Sequence, residues 1–66
     1  MKILFNGNSM KIDVLTNIHD LLSMYQIELQ GIAVAINQRL CPKTEWGETY
    51  LQEGDSILII QATQGG

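Results

Sequence analysis

Few residues in this chain have types or spacings that could do chemistry, and the strongest candidate is the carboxylate of Gly66 in the pair Gly65-Gly66. The segment Thr63-Gln64-Gly65-Gly66 has no side chain suited to anchoring it against a domain, so an extended and mobile tail is predicted over 63–66. Two residues without a Cβ let the backbone enter a narrow site of another protein in whatever φ and ψ that site requires. The carboxylate is inert as it stands, because attack on its carbonyl would have to expel oxide. It must first become an acyl-adenylate, made with ATP held by a separate enzyme.

The other reactive side chains assemble into nothing comparable. There is one histidine and one cysteine, with no paired metal-ligand spacing, no phosphate-cradling glycine loop opening a helix and no serine nucleophile motif. Catalysis by the chain itself is therefore not expected, and neither a bound cofactor nor a metal is. His19 falls beside an apolar position in the first turn of an expected helix and reads as a solvated or capping residue. Cys41 stands next to Pro42 with no histidine or basic pair to favour its thiolate, and reads as a small packing residue. Trp46, in an irregular stretch, is expected to close the end of a small core.

These residues must be positioned by a single domain. Sixty-six residues enclose one small core, and a chain of this size buries roughly 60% of its unfolded surface on folding. Seven acids against four bases give a net charge of -3, which repels phosphate backbones and argues against a nucleic-acid partner. Glu45, Glu48, Glu53 and Asp55 form a stretch without a base, either a solvated acidic face or a surface that steers toward a basic partner. The longest apolar run, Ile32 to Ile36, is far short of the ~20 residues a membrane helix needs. With a lone cysteine and no charged-then-apolar leader, the cytoplasm is the expected compartment.

Along the chain, Met1 to Phe5 and Met10 to Val14 are runs of strand formers separated by Asn6-Gly7-Asn8-Ser9, which predicts a hairpin. Ile18, Leu21, Leu22 and Tyr25 then recur at helical spacing, with Thr16 or Asn17 placed to cap. After a polar stretch ending at Gly31, the β-branched run Ile32–Ile36, the pair Asn37-Gln38 and the short Arg39–Cys41 predict a second hairpin stopped by Pro42. Lys43 to Tyr50 reads as a loop or helical turn, and Glu53-Gly54-Asp55 turns the chain into a last strand, Ser56 to Ala62. The order β-β-α-β-β-β predicts an α+β roll of the β-grasp (ubiquitin-like) type, a mixed sheet covered on one face by one helix, over 1–62.

Strand alternation adds a surface. If Ile57 and Ile59 point under the helix, Leu58 and Ile60 point away from it. By the same rule Ile3 and Phe5 enter the core, and Leu4 widens the open stripe into a patch suited to docking.

Met1-Lys2-Ile3-Leu4-Phe5-Asn6-Gly7, Ile18-His19-Asp20-Leu21-Leu22 and Val34-Ala35-Ile36-Asn37-Gln38 together resemble the ThiS family, sulfur carriers of thiamine thiazole biosynthesis. So do Pro42-Lys43 with Glu45-Trp46, Leu51-Gln52-Glu53-Gly54-Asp55 and the final Gly65-Gly66. The resemblance runs over the whole chain. It implies that an E1-like (ThiF-like) adenylyltransferase activates Gly66, that a sulfur donor protein displaces AMP to leave a thiocarboxylate, and that a thiazole synthase (ThiG-like) accepts the sulfur. It also implies that Gly65 gives access to both partner sites, and that Leu4, Leu58 and Ile60 supply a docking face used with each partner in turn. Gln64 and Cys41 depart from the family's commoner residues, which are small or aliphatic at the first position and aliphatic at the second. A molybdopterin synthase small subunit shares the fold and the Gly-Gly end but is usually longer and lacks the Pro42 to Trp46 pattern. A ubiquitin-like modifier or plain binding module is the alternative from another class, and conjugate ladders would distinguish it.

Overall fold

The computed structural model describes residues 1–61. Strands β1 (Lys2–Phe5) and β2 (Asn8–Lys11) form the first hairpin, helix α1 (Ile18–Met24) follows, and β3 (Ile32–Ile36) pairs with β4 (Arg39–Cys41) in the second. A 3-10 turn at Lys43–Glu45 precedes the last strand, β5 (Ser56–Gln61). The five strands lie in the order β2-β1-β5-β3-β4. β5 sits at the centre, parallel to β1 and antiparallel to β3, which makes the sheet mixed.

Both hairpins turn on two residues with positive φ, Asn6 (49°) with Gly7 (84°) and Asn37 (51°) with Gln38 (72°). Such turns match the twist of the flanking strands, and Asn and Gly adopt these angles at the least steric cost. The first turn is tighter than the predicted four-residue loop, so Asn8 and Ser9 become strand residues opposite Phe5 and Leu4. Consequently β2 starts two residues early and ends at Lys11, while Val14 and Leu15 form an exposed turn before the helix. That turn is tied by the Thr16 hydroxyl, which donates to the Asp13 carbonyl at 2.7 Å.

The helix is capped by Asn17, whose Oδ1 accepts from the Asp20 amide at 2.7 Å. Asp20 in the first turn also suits the positive end of the helix dipole. Ile18, Leu21 and Leu22 are wholly buried, and with Ile3, Ile12, Val34, Trp46, Leu51 and Ile57 they make the core. The helix ends at Met24, one residue before Tyr25, whose half-exposed ring stacks on Phe5 at a centroid distance of 5.4 Å. The stretch after it is less polar in effect than in composition, since Ile27 and Leu29 pack against the core.

Trp46 closes the end of that core as expected. Its indole is 2% exposed, and Nε1 donates to the Cys41 carbonyl at 2.9 Å. Cys41 is partly buried beside it, with Sγ 3.6 Å from the Thr49 hydroxyl. The Trp46 bond ties the small hairpin to the end of the 3-10 turn, and the Cys41 contact ties it to Thr49 beyond that turn. His19 is exposed at the start of the helix.

Candidate functional site

Gly65 and Gly66, the residues to which the sequence assigns the chemistry, lie outside the described residues. The structure describes the strand that precedes them. β5 is the central strand of the sheet, held on one edge by β1 and on the other by β3. On the β3 side it pairs in register from Ile57 opposite Ile36 to Gln61 opposite Ile32. On the β1 side the Leu4 amide donates to the Asp55 carbonyl at 2.9 Å and the Asn6 amide to the Ile57 carbonyl at 2.8 Å. β1 then ends, and the Asn6 side chain replaces it: Oδ1 accepts from the Ile59 amide at 2.8 Å. Asn6 therefore makes the turn and extends the support of β5 toward its C-terminal end. In the sequence Asn6 is legible only as a turn former, because the partner of its side chain lies more than fifty positions away.

The entry into β5 is fixed just as closely. Asp55 accepts from the Gln52 amide at 2.8 Å and from Asn37 Nδ2 at 3.0 Å, while Asn37 Oδ1 accepts from the Ser56 amide at 3.0 Å. Glu53 Oε1 accepts from the Lys2 amide at 3.0 Å. Two of the four acids between Glu45 and Asp55 thus serve the turn itself, and Glu45 and Glu48 remain as exposed charges.

Side-chain alternation along β5 divides as the sequence predicted. Ile57 is buried and Ile59 partly buried on the helix side, while Leu58 (49% exposed), Ile60 (43%) and Leu4 (43%) lie on the open side. Register shows that they share one face: Leu4 stands opposite Ser56, two positions from Leu58 on the same strand. Ala35 stands opposite Leu58, Ala33 opposite Ile60, and Leu40 opposite Ala35. Leu40, 73% exposed, carries the apolar surface out to the β4 edge. Its place on this face is not evident from the sequence, although the two-residue turn at Asn37-Gln38 fixes its facing once that turn length is known.

Among the described residues no group of three or more His, Cys, Asp or Glu is placed to hold a metal ion. No helix among the described residues is long and apolar enough to cross a membrane.

A mixed five-stranded sheet with parallel β1 and β5 at its middle and one helix across one face defines a β-grasp domain, here with an open apolar face and a Gly-Gly end. Comparison with known proteins carries this further. Residues 3–66 match the family model of the ThiS family. Sulfur carrier protein ThiS of Escherichia coli (strain K12) is 38% identical over 66 residues, covering all of both chains. The crystal structure of a thiamine biosynthesis protein (ThiS) from Geobacter metallireducens superposes with a TM-score of 0.88 at 22% identity, over all of both chains. A solution structure of a thiamine biosynthesis protein from the same organism gives 0.77 at 22% identity, covering all of this chain and 88% of that one. The chain belongs to the ThiS family, the sulfur carrier proteins of thiamine biosynthesis.

Proposed function

We propose that the chain carries sulfur for thiazole formation as a thiocarboxylate on Gly66. A carboxylate oxygen of Gly66 attacks the α-phosphorus of ATP bound to an E1-like adenylyltransferase, pyrophosphate leaves, and the acyl-adenylate holds a carbonyl that a nucleophile can now attack. Sulfide (HS⁻) released by a donor protein adds to that carbonyl, loses its proton, and AMP leaves with one of the original carboxylate oxygens. Sulfur then occupies that oxygen's place, and on thiazole synthase it passes to the acceptor while an oxygen from the acceptor or from water replaces it, returning the carboxylate. ATP belongs to the adenylyltransferase, and the chain supplies the carried group rather than catalysis.

Among the described residues, the observation that carries this reading is the apolar stripe of Leu58 and Ile60 on β5, widened by Leu4 on β1. A carrier that reacts only inside other proteins needs a surface for them to hold, and this one lies on the strand that precedes the reactive end by five residues. Gly65 gives the backbone room to enter each site.

The test is intact-mass analysis of the full chain incubated with ATP, its cognate adenylyltransferase and a sulfur source. The expected result is replacement of one terminal oxygen by sulfur, mapped to Gly66 by fragmentation. An unchanged terminus under conditions where the adenylyltransferase is active would sink the proposal.

A further inference from the structure

The charges of this acidic chain are unevenly placed. Strand register puts Lys2 directly opposite Lys11, and Leu4 opposite Ser9, on the same side of the sheet as Leu58 and Ile60. The strand positions of that side are otherwise Ser56, Ala33, Ala35 and Leu40, so no acid stands among them although the chain has seven. Glu53 sits at the border of the face, where it accepts from the Lys2 backbone amide at 3.0 Å. Lys2, Leu4, Ser9 and Glu53 all line one shallow hollow of about 190 Å³ at that end of the face. Two ammonium groups directly opposite each other across an antiparallel pair repel and weaken the hairpin. The face is therefore apolar in its middle and carries two lysines across β1 and β2 at one end, an arrangement that does not favour the hairpin.

Resting on the reading of this face as the docking surface, we propose that the partner protein seated there presents carboxylates opposite Lys2 and Lys11, beside aliphatic side chains opposite Leu4, Leu58 and Ile60. Charge complementarity selects this occupant. A second copy of the chain would offer the same acid-free strands, leaving four ammonium groups without a carboxylate across the contact. Apolar burial would then hold the complex, and the lysines would set its orientation and speed its formation.

The experiment is stopped-flow association of the full chain with its cognate adenylyltransferase at about 0.1 M and about 1 M salt, between which the Debye length falls from ~10 Å to ~3 Å. Lys11→Glu is expected to slow association about tenfold or more at the lower salt and to match the unsubstituted chain at the higher. Arg39→Glu changes the net charge equally, but at a position opposite Ile36 that alternation directs away from this face, and it should associate nearly normally. Lys11→Glu should also melt no lower than the unsubstituted chain, because opposite charges would then face each other across β1 and β2. A purely structural lysine would give the reverse, a lower melting point with unchanged association. Lys11→Gln, which removes charge without adding any, should flatten the salt dependence. Normal low-salt association of both Lys11 variants, or an equal loss in Arg39→Glu, would overturn the inference. Sulfur exchange on the unsubstituted chain is followed in parallel: its absence would sink the carrier reading, whereas exchange together with charge-insensitive association would sink only this inference.

Discussion

At the scale of single residues, Asn6 does two tasks that different parts of the sequence impose. Its φ of 49° makes the first hairpin turn, and its Oδ1 holds the Ile59 amide at 2.8 Å where β1 can no longer reach. Replacing Asn6 by Ala leaves that amide without its acceptor and places a Cβ-bearing residue in the left-handed region with no side-chain compensation. A loss of about 1–3 kcal/mol is expected in denaturant unfolding. Asn6→Asp keeps an acceptor and tolerates the same φ, and should lose less than half as much. Equal losses would mean that the bond to Ile59 contributes nothing. Cys41 makes the opposite case. Its thiol packs against the core beside Thr49, and if that packing is its only task, Cys41→Ala should leave mass-detected exchange at Gly66 intact while costing about 1 kcal/mol through lost packing. Loss of exchange in a folded Cys41→Ala protein would make the thiol a participant.

At the scale of elements, β5 separates stability from recognition by alternation alone. Ile57→Ala opens a cavity where the side chain is fully buried and should cost about 2–5 kcal/mol. That is comparable with the ~3–5 kcal/mol a core of this size supplies, so the variant should be largely unfolded at 37 °C by circular dichroism. One residue later, Leu58→Asp changes a side chain that is half in solvent and should cost only about 1 kcal/mol, from strand preference, while weakening binding to the adenylyltransferase in a titration. Unchanged binding would remove Leu58 from the docking face. Much of this element structure is legible in the sequence because its causes are local. The run Ile32–Ile36, the pair Asn37-Gln38 and the stop at Pro42 each carry their own signal, and the helix is marked by Ile18, Leu21 and Leu22 with Asn17 before them. What escaped has non-local or register-dependent causes. Asn8 and Ser9 are poor strand formers held in β2 by the tight turn before them, Ile27 and Leu29 lie in a polar stretch yet find the core, and Leu40 gains its place on the open face only through pairing with Ala35. The parallel contact of β1 with β5 joins the two ends of the chain, and no local window contains it.

At the scale of the whole molecule, every buried core residue among the described residues falls between Ile3 and Ile57. The chemistry is assigned to Gly66, nine positions beyond the last of them. This ordering predicts that fold and carried group can be separated cleanly. Removing Gly66 takes away no core side chain and none of the bonds that hold β5 to Asn6, Asp55 or β3, so the melting temperature should stay within about 2 °C, the shift expected for a change of a few tenths of a kcal/mol in a domain this small. The same deletion moves the carboxylate one residue closer to the domain and leaves a single glycine before it. ATP–pyrophosphate exchange catalysed by the adenylyltransferase should therefore fall to background, because the carboxylate can no longer reach the α-phosphorus while the apolar face is seated. Binding measured on the open face should persist, since Leu4, Leu58 and Ile60 are untouched, which makes the shortened chain a competitor of the full one. Retained pyrophosphate exchange would show that the adenylyltransferase does not measure the distance from the docking face to the terminus. A lowered melting temperature would show that the last residue belongs to the fold as well as to the chemistry.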